Sequence, residues 1–498
     1  MHDVVIVGAG PVGLLLAGEL GLAGRSVLVL EREPAPGSPW RTAPLGVRGL
    51  FTRSIEVLDR RGMLEPLLAT AGDPAALAGP RRRAVGHFAG IMLDAANLDT
   101  GPQPFGLPSS TPEFVMTDLG TVETVLSERA VKLGVEIRYG AEVSAITQDD
   151  RTVVVSDGEQ EYAARWVVGC DGGRSAVRTL AGFGFDGTEP TFTGYVMLAT
   201  ITNEERLDPG FTLTPEGMYI NMPTPGHIGM MDFDGGAFDR SQELTRDHLQ
   251  AVLRRVSGID VTVTDVRFAS SFTDRARQAT TYRRGRVLLA GDAAHIMSPL
   301  GGQGLNTGLG DAVNLGWKLA ATVRGSAPEG LLDTYDGERR PVGAQALDWT
   351  RAQVATMRPD PHAQAIQAVV RDLLATRDGT NYVVRKMTGA TTRYDLGDEH
   401  PLVGRSAPDF RLEDGSRLAD LMQDGRGVVL DFSADGCLRD SGWDADVRYA
   451  AGPAVDDLGL GAVLVRPDGI VAWVGDRVPD REGFDRAARR WFGASGAR

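Results

Sequence analysis

Gly8-x-Gly10-x-x-Gly13 lies between a β-branched run, Val4-Val5-Ile6-Val7, and a segment in which Leu15, Leu16, Leu20 and Leu22 recur at roughly helical spacing. Gly24 is placed to stop that helix, and Ser26-Val27-Leu28-Val29-Leu30 reads as a second buried strand ending at Glu31. The first 31 residues therefore read as one βαβ unit. Gly8 permits the tight turn, Gly10 lets backbone approach a pyrophosphate, and Gly13 lets helix and strand pack closely. The helix N-terminus offers N–H groups and a partial positive charge to the phosphates. Glu31 can accept both hydroxyls of a ribose and would repel a 2′-phosphate. FAD or NAD fits this turn better than NADPH.

Composition narrows the alternatives. A chain of 498 residues suggests about three domains. Its 52 basic and 66 acidic residues leave a net charge of −14, which opposes nonspecific binding to nucleic acid or anionic lipid. Only Lys132, Lys318 and Lys386 are lysines among the basic residues, a bias that a GC-rich genome explains. Two cysteines, Cys170 and Cys437, cannot build a disulfide framework, and no Cys/His cluster has zinc spacing, so no metal is expected. No apolar run reaches the roughly 18 residues of a membrane span. The first strand begins at Val4, so no signal peptide and a cytoplasmic protein are expected.

Further strand–turn signals follow. Trp166-Val167-Val168 runs into Gly169-Cys170-Asp171-Gly172-Gly173-Arg174-Ser175-Ala176-Val177-Arg178. Val287-Leu288-Leu289-Ala290 runs into Gly291-Asp292-Ala293-Ala294-His295, then Pro299, Gly301-Gly302-Gln303-Gly304-Leu305-Asn306 and a long helical pattern. One domain is thus assembled from separated pieces, 1–74, 99–183 and 273–390. Residues 75–98 and 184–272 form an inserted sheet domain, marked by short strands with Pro/Gly turns. A polar linker around 388–408 leads to a third domain at 400–498.

An aspartate just past a buried strand can hold a polyol hydroxyl such as a ribityl chain. The loop from Gly301 to Gly304 aims a helix N-terminus at whatever anion lies there, as a reduced or oxygen-adducted flavin would be. His295 reads as a structural hydrogen-bonding residue and Cys170 as a packing residue. Arg81-Arg82-Arg83 reads as a solvated loop. The tail segment Leu430-Asp431-Phe432-Ser433-Ala434-Asp435-Gly436-Cys437 is thioredoxin-like, but Cys437 lacks the second cysteine that a dithiol needs.

In this order and spacing, the three motifs resemble those of the single-component (class A) FAD-dependent aromatic hydroxylases with the p-hydroxybenzoate hydroxylase fold. The arginine-rich chain with its C-terminal extension resembles the polyketide-tailoring and rifampicin monooxygenases. The pattern covers residues 1–350, and Leu464-Val465-Arg466-Pro467-Asp468-Gly469 through Trp473 match that subgroup. The resemblance implies an α/β chain. It would have a Rossmann-like FAD-binding domain of the glutathione-reductase type, an inserted β-sheet substrate domain and a C-terminal thioredoxin-like domain.

It also implies non-covalent FAD, with NADPH or NADH as co-substrate. O2 would add at C4a, and the C4a-(hydro)peroxyflavin would pass one oxygen to a large aromatic or polyketide substrate. No catalytic side chain is expected, because the cofactor carries the chemistry. Arg41 and Pro299 are candidates for positioning. Contacts to FAD would come from Gly8, Gly10, Pro11, Val12, Gly13, Glu31, Arg32, Arg41, Val143, Asp292, Pro299, Gly302, Gly304, Leu305 and Asn306. Asp171 and Arg174 would serve flavin and pyridine-nucleotide phosphates. One departure stands out: the family's Pro-Gln before a helical glutamate, here Glu123, is replaced by Asp118-Leu119.

The inserted segment offers Tyr195, Met218, Tyr219, Met222, Met230, Met231 and Phe233 at strand-like spacing, a surface suited to a polycyclic ring. Tyr195, Tyr219, Met231 and Phe233 are the expected substrate contacts. Alternatives of the same fold are Baeyer–Villiger oxygenation and antibiotic inactivation. A non-catalytic flavin-binding scaffold is the alternative from another class. A halogenase is disfavoured, since none of the seven tryptophans lies in a W-x-W-x-I-P segment. Monomer and homodimer remain open.

Overall fold

A computed structural model describes residues 1–70, 84–99, 101, 105–433, 436, 438, 439, 443 and 446–493. The Arg81-Arg82-Arg83 run and Cys437 lie outside the described residues.

The first strand, His2–Val7, is central. It pairs in parallel with Val27–Glu31 on one side and Glu161–Gly169 on the other. Glu136–Tyr139 and Val287–Leu289 extend the sheet in parallel at either flank. Three distant chain segments thus meet, with Val5 opposite Leu28 and Val167, and Val167 opposite Val287. Val27–Glu31 is buried along its whole length, as expected for a parallel strand covered on both faces. The helix Pro11–Leu22 packs on this sheet and against the helix Gln303–Arg324. Glycines allow the close approach: a Cβ on Gly308 would meet Val12 at 2.6 Å, and one on Gly316 would meet Glu19 at 2.5 Å.

The inserted sheet is antiparallel, ordered Gly210–Thr214, Gly217–Asn221, His227–Asp232, Thr193–Thr202, Thr262–Thr273. The amphipathic helix Arg246–Ser257 covers one face through Leu249, Val252, Leu253 and Val256. The other face meets the hairpin Ala84–Phe88/Ile91–Asp94 and the helices Thr334–Met357, Pro361–Leu374 and Arg377–Met387.

The C-terminal region holds a mixed four-stranded sheet ordered Val447–Ala451, Gly427–Asp431, Ala462–Val465, Val471–Gly475, with the helix Arg481–Phe492. It joins the rest through buried charge. The fully buried Arg466 donates to both carboxylate oxygens of Glu338 at 2.8 Å and to Asp468 at 3.0 Å. Lys318 Nζ donates to the same glutamate at 2.9 Å. Trp491 lies 4.4 Å from the Arg466 guanidinium carbon. Overall the chain mixes helix and strand as an α/β protein. No helix among the described residues is long and apolar enough to cross a membrane.

Candidate active site

Open parallel sheets leave a groove outside the carboxyl ends of their strands, and here the turns that follow Val7, Gly169 and Leu289 stand side by side at that edge. Gly8 has φ +106°, and a Cβ there would meet the Cys170 carbonyl oxygen at 2.4 Å. A Cβ on Gly13 would come within 2.0 Å of the Gly8 oxygen. Around a Cβ on Gly10 there is nothing within 4 Å, so backbone faces open space where a pyrophosphate fits. No side chain caps the helix Pro11–Leu22, and Pro11 begins it, which leaves its first-turn N–H groups for an anion. The half-buried Val12 lines the turn.

Glu31 is buried and accepts the Ala9 N–H at 2.7 Å and the Glu33 N–H at 3.0 Å. Those bonds orient its carboxylate at the strand end, and its remaining lone pairs can take ribose hydroxyls. Arg32 is exposed beside Glu33. Val143 is buried in the main core. Arg41 donates to Glu123 at 2.7 Å. Burial pushes the Glu123 carboxyl up, with Arg41 opposing. Asp118, where the family has its Pro-Gln, caps the helix Leu119–Lys132 by accepting the Thr121 N–H at 2.9 Å. That position has become an N-cap.

The second motif departs from expectation. The Asp171 carboxylate accepts from Ser175 Oγ at 2.5 Å and from the Val177 N–H at 3.0 Å. It holds the short helix Ala176–Leu180, and both its oxygens are engaged within the protein. Arg174 is exposed. Arg178, not expected from sequence, ties this motif to the third by donating to the Ala293 carbonyl at 3.0 Å.

The third motif is open where the second is closed. Asp292 faces the groove, and among the described residues no donor engages its carboxylate. A Cβ on Gly304 would sit 3.7 Å from Asp292 Oδ1, so the helix Gln303–Arg324 begins beside this carboxylate. Gly301 and Gly302 have φ +72° and +63°, a left-handed pair that glycine adopts at little cost. Gly302 caps the helix with no side-chain bond, so a second uncapped N-terminus points into the groove. Pro299 is exposed at its lip, and Leu305 is half-buried against the core.

Asn306 has a different role from the one expected. Its Nδ2 donates to the Gly49 and Gly302 carbonyls at 2.9 and 3.0 Å. Its Oδ1 accepts from the Phe51 N–H at 2.9 Å and from Ser54 Oγ at 2.7 Å. The side chain is fully engaged in stapling the 47–54 segment to the helix, which leaves its backbone for a cofactor.

Sequence reading missed Asp311. It is fully buried and accepts from the Gly291 N–H at 3.0 Å, His295 Nε2 at 2.7 Å and Arg339 Nε at 2.7 Å. The available signal was a set of polar residues, Asp311, Asn314 and Lys318, at helical spacing on an otherwise apolar pattern. Cys170 is a packing residue whose thiol burial pushes well up.

The expected substrate contacts divide by strand parity. Tyr195, Tyr219 and Met230 lie under the helix Arg246–Ser257. Tyr195 Oη and His248 Nε2 are 3.1 Å apart, and Tyr219 Oη accepts the Asp208 N–H at 3.1 Å. Tyr195 and Tyr219 therefore do not line the groove, because the helix takes their face. Met218 and Met231 lie on the opposite face, buried against Phe88 and Leu93, and Phe233 packs on Phe192. This face is filled by the hairpin 84–94. Met222 is exposed at a strand end.

The groove's chemistry fits a flavin dinucleotide: open backbone at Gly10, two uncapped helix N-termini and an unengaged carboxylate between them. Residues 1–350 match the FAD binding domain family, and residues 400–495 match the aromatic-ring hydroxylase C-terminal family. The chain belongs to the FAD-dependent aromatic-ring hydroxylases. It is 40% identical to a rifampicin monooxygenase of Streptomyces venezuelae, over 100% of both chains. It is also 40% identical to a 12-dehydrotetracycline 5-monooxygenase/anhydrotetracycline 6-monooxygenase of Streptomyces rimosus, over 99% of both chains. The structure of OxyS anhydrotetracycline hydroxylase from Streptomyces rimosus superposes with a TM-score of 0.86 at 37% identity, covering 99% of this chain and 100% of that one. This hydroxylase is thus an FAD-dependent monooxygenase.

Proposed function

We propose that this monooxygenase hydroxylates a large polycyclic aromatic molecule in the cytoplasm, using O2 and electrons from NADPH or NADH. The observation that carries the reading is the open backbone at Gly10 together with the uncapped helix N-terminus at Gly302, in a chain similar along its whole length to monooxygenases of tetracyclines and rifampicin. Glu31 orients the adenosine ribose, the Pro11–Leu22 helix N-terminus holds the pyrophosphate, and Asp292 takes the ribityl hydroxyls. Bound there, FAD supplies reduction and oxygen activation.

The chain's own residues position and shield. The Gly302 helix end favours negative charge at the flavin ring. Pro299 forms the lip on which a substrate ring rests, and Arg41, fixed by Glu123, steadies the loop beside it. Arg174, exposed beside the second motif, attracts the phosphates of the pyridine nucleotide.

The test is purified enzyme with NADPH, O2 and a panel of polycyclic and monocyclic phenols. A polycyclic phenol should speed NADPH oxidation and give a product heavier by one oxygen. NADPH oxidation unmoved by every aromatic, with FAD bound, would favour the flavin-scaffold reading. Oxygen inserted beside a carbonyl rather than on a ring carbon would indicate Baeyer–Villiger chemistry.

A further inference from the structure

Tyr394 lies in the chain that leads into the C-terminal sheet, yet its hydroxyl reaches the buried network behind the third motif. Its oxygen accepts from Arg339 Nη1 at 2.9 Å. Arg339 Nε donates to Asp311 at 2.7 Å, and Nη2 donates to the Thr307 carbonyl at 2.8 Å, in the helix Gln303–Arg324. Asp311 accepts the Gly291 N–H at 3.0 Å and meets His295 Nε2 at 2.7 Å, so it holds the chain on both sides of Asp292. Tyr394, Arg339, Asp311 and His295 are all buried.

Tyr394 is itself fixed by the C-terminal region. Its N–H donates to the Gly404 carbonyl at 2.8 Å, and the Gly404 N–H donates to the Val471 carbonyl at 2.9 Å, on the strand Val471–Gly475. Gly404 has φ +84°, and a Cβ there would meet the Tyr394 carbonyl oxygen at 2.0 Å, so backbone lies directly on backbone. The Tyr394 ring meets two guanidiniums, with the Arg339 carbon 6.0 Å and the Arg466 carbon 5.7 Å from its centroid. Asp311 balances the first arginine, and Glu338 and Asp468 balance the second. Tyr394 is the neutral group between them. A guanidinium is a rigid fork, so an acceptor that fixes one prong also fixes the direction of the others. Members of one buried hydrogen-bonded network therefore depend on one another.

We propose that Tyr394 is a positioning residue for FAD. Through Arg339 and Asp311 it sets the turn from Gly291 to His295 so that Asp292 faces the cofactor, which makes the C-terminal region part of the flavin site. The proposal rests on the reading of Asp292 as the ribityl contact and adds the residue that aims it.

The test is a double-mutant cycle on the full chain, with FAD titrated into apoprotein and binding followed by flavin fluorescence. Phenylalanine at 394 keeps the ring and its packing and removes only the oxygen that Arg339 needs. Tyr394→Phe should raise the FAD Kd about 3–10-fold, within the range over which members of one network couple. In an Asp292→Ala background the same change should add nothing, because the carboxylate that it aims is gone. By hydrogen exchange of the apoprotein, the peptide across Gly291–His295 should exchange faster in Tyr394→Phe than in wild type, with the peptide across Val4–Val7 unmoved. General loosening of the fold would instead raise the Kd by the same factor in both backgrounds and speed exchange in both peptides. That result would overturn the proposal, as would an unchanged Kd in the wild-type background or unchanged exchange at the turn. If Asp292→Ala alone leaves the Kd unmoved, the ribityl reading falls, and exchange at the turn decides the role of Tyr394.

Discussion

His295 Nε2 and Asp311 Oδ2 stand 2.7 Å apart, and both side chains are fully buried. The same carboxylate holds the Gly291 N–H and Arg339, so one buried anion shapes the turn that presents Asp292. Burial works against its charge, but Arg339 and His295 outweigh burial and hold the carboxyl below its usual range. Breaking a buried pair by removing one partner costs about 3–5 kcal/mol. Asp311→Asn should therefore lower the melting temperature of the apoprotein and weaken FAD retention together. Asp292→Ala should leave apoprotein melting unchanged and weaken FAD binding about 10–150-fold, the worth of a charge-assisted bond of about 1.5–3 kcal/mol. Equal apoprotein melting for wild type and Asp311→Asn would show that the turn does not depend on Asp311.

The two glycines of the fingerprint should fail differently. Gly10 has open space around it, so Gly10→Val should fold and emerge colourless, with its side chain where the pyrophosphate belongs. A Cβ at Gly13 meets the Gly8 oxygen at 2.0 Å, so Gly13→Ala should lose soluble folded protein. Circular dichroism and flavin absorbance separate the two outcomes. A yellow Gly10→Val protein would place the pyrophosphate elsewhere.

Arg466 should matter as much as any core residue. It binds Glu338 through both terminal nitrogens, at the junction of the C-terminal sheet with the flavin-site helices. Arg466→Met leaves Glu338 with Lys318 and the Asn314 amide and should cost about 3–5 kcal/mol, read as a fall in melting temperature. Arg466→Lys should not restore it, because a single ammonium cannot reproduce the two-pronged contact. Full rescue by lysine would show that charge suffices without the fork.

Acid should destabilise the protein partly through His87. Its ring lies 4.0 Å from that of Phe211, and burial lowers its pKa from 6.5 to about 4. Above 6.5 it is neutral folded and unfolded. As pH falls from 6.5 towards 4, only the unfolded chain takes the proton, so stability falls over that window. From pH 7 to 5 the loss from this residue is about 2 kcal/mol. Urea midpoints of wild type and His87→Gln at both pH values check it: the variant should lose less. An equal loss in both would clear His87 of the effect.

Local sequence was enough for the nucleotide turn. Strand, glycine turn and helix lie within a few residues of one another, and each glycine answers a contact close in sequence or on the next strand. The loop at Gly301–Gly302 was legible for the same reason. Strand parity puts neighbours such as Met218 and Tyr219 on opposite faces, although they were expected to share one surface. Which face meets solvent, flavin or helix depended on where Arg246–Ser257 docks, and no local pattern encodes that.

The same holds for carboxylates. Asp171 and Asp292 each follow a buried strand and look alike in sequence. Only the fold engages one with Ser175 and Val177 and leaves the other open. Arg466 and Glu338 lie 128 residues apart, and their pairing exists only once two sheets and a helix layer have closed around them. Sequence by itself determined the turns, because backbone geometry is local. Tertiary structure decided which charges are paired and where space remains, because burial and partners are supplied by distant chain.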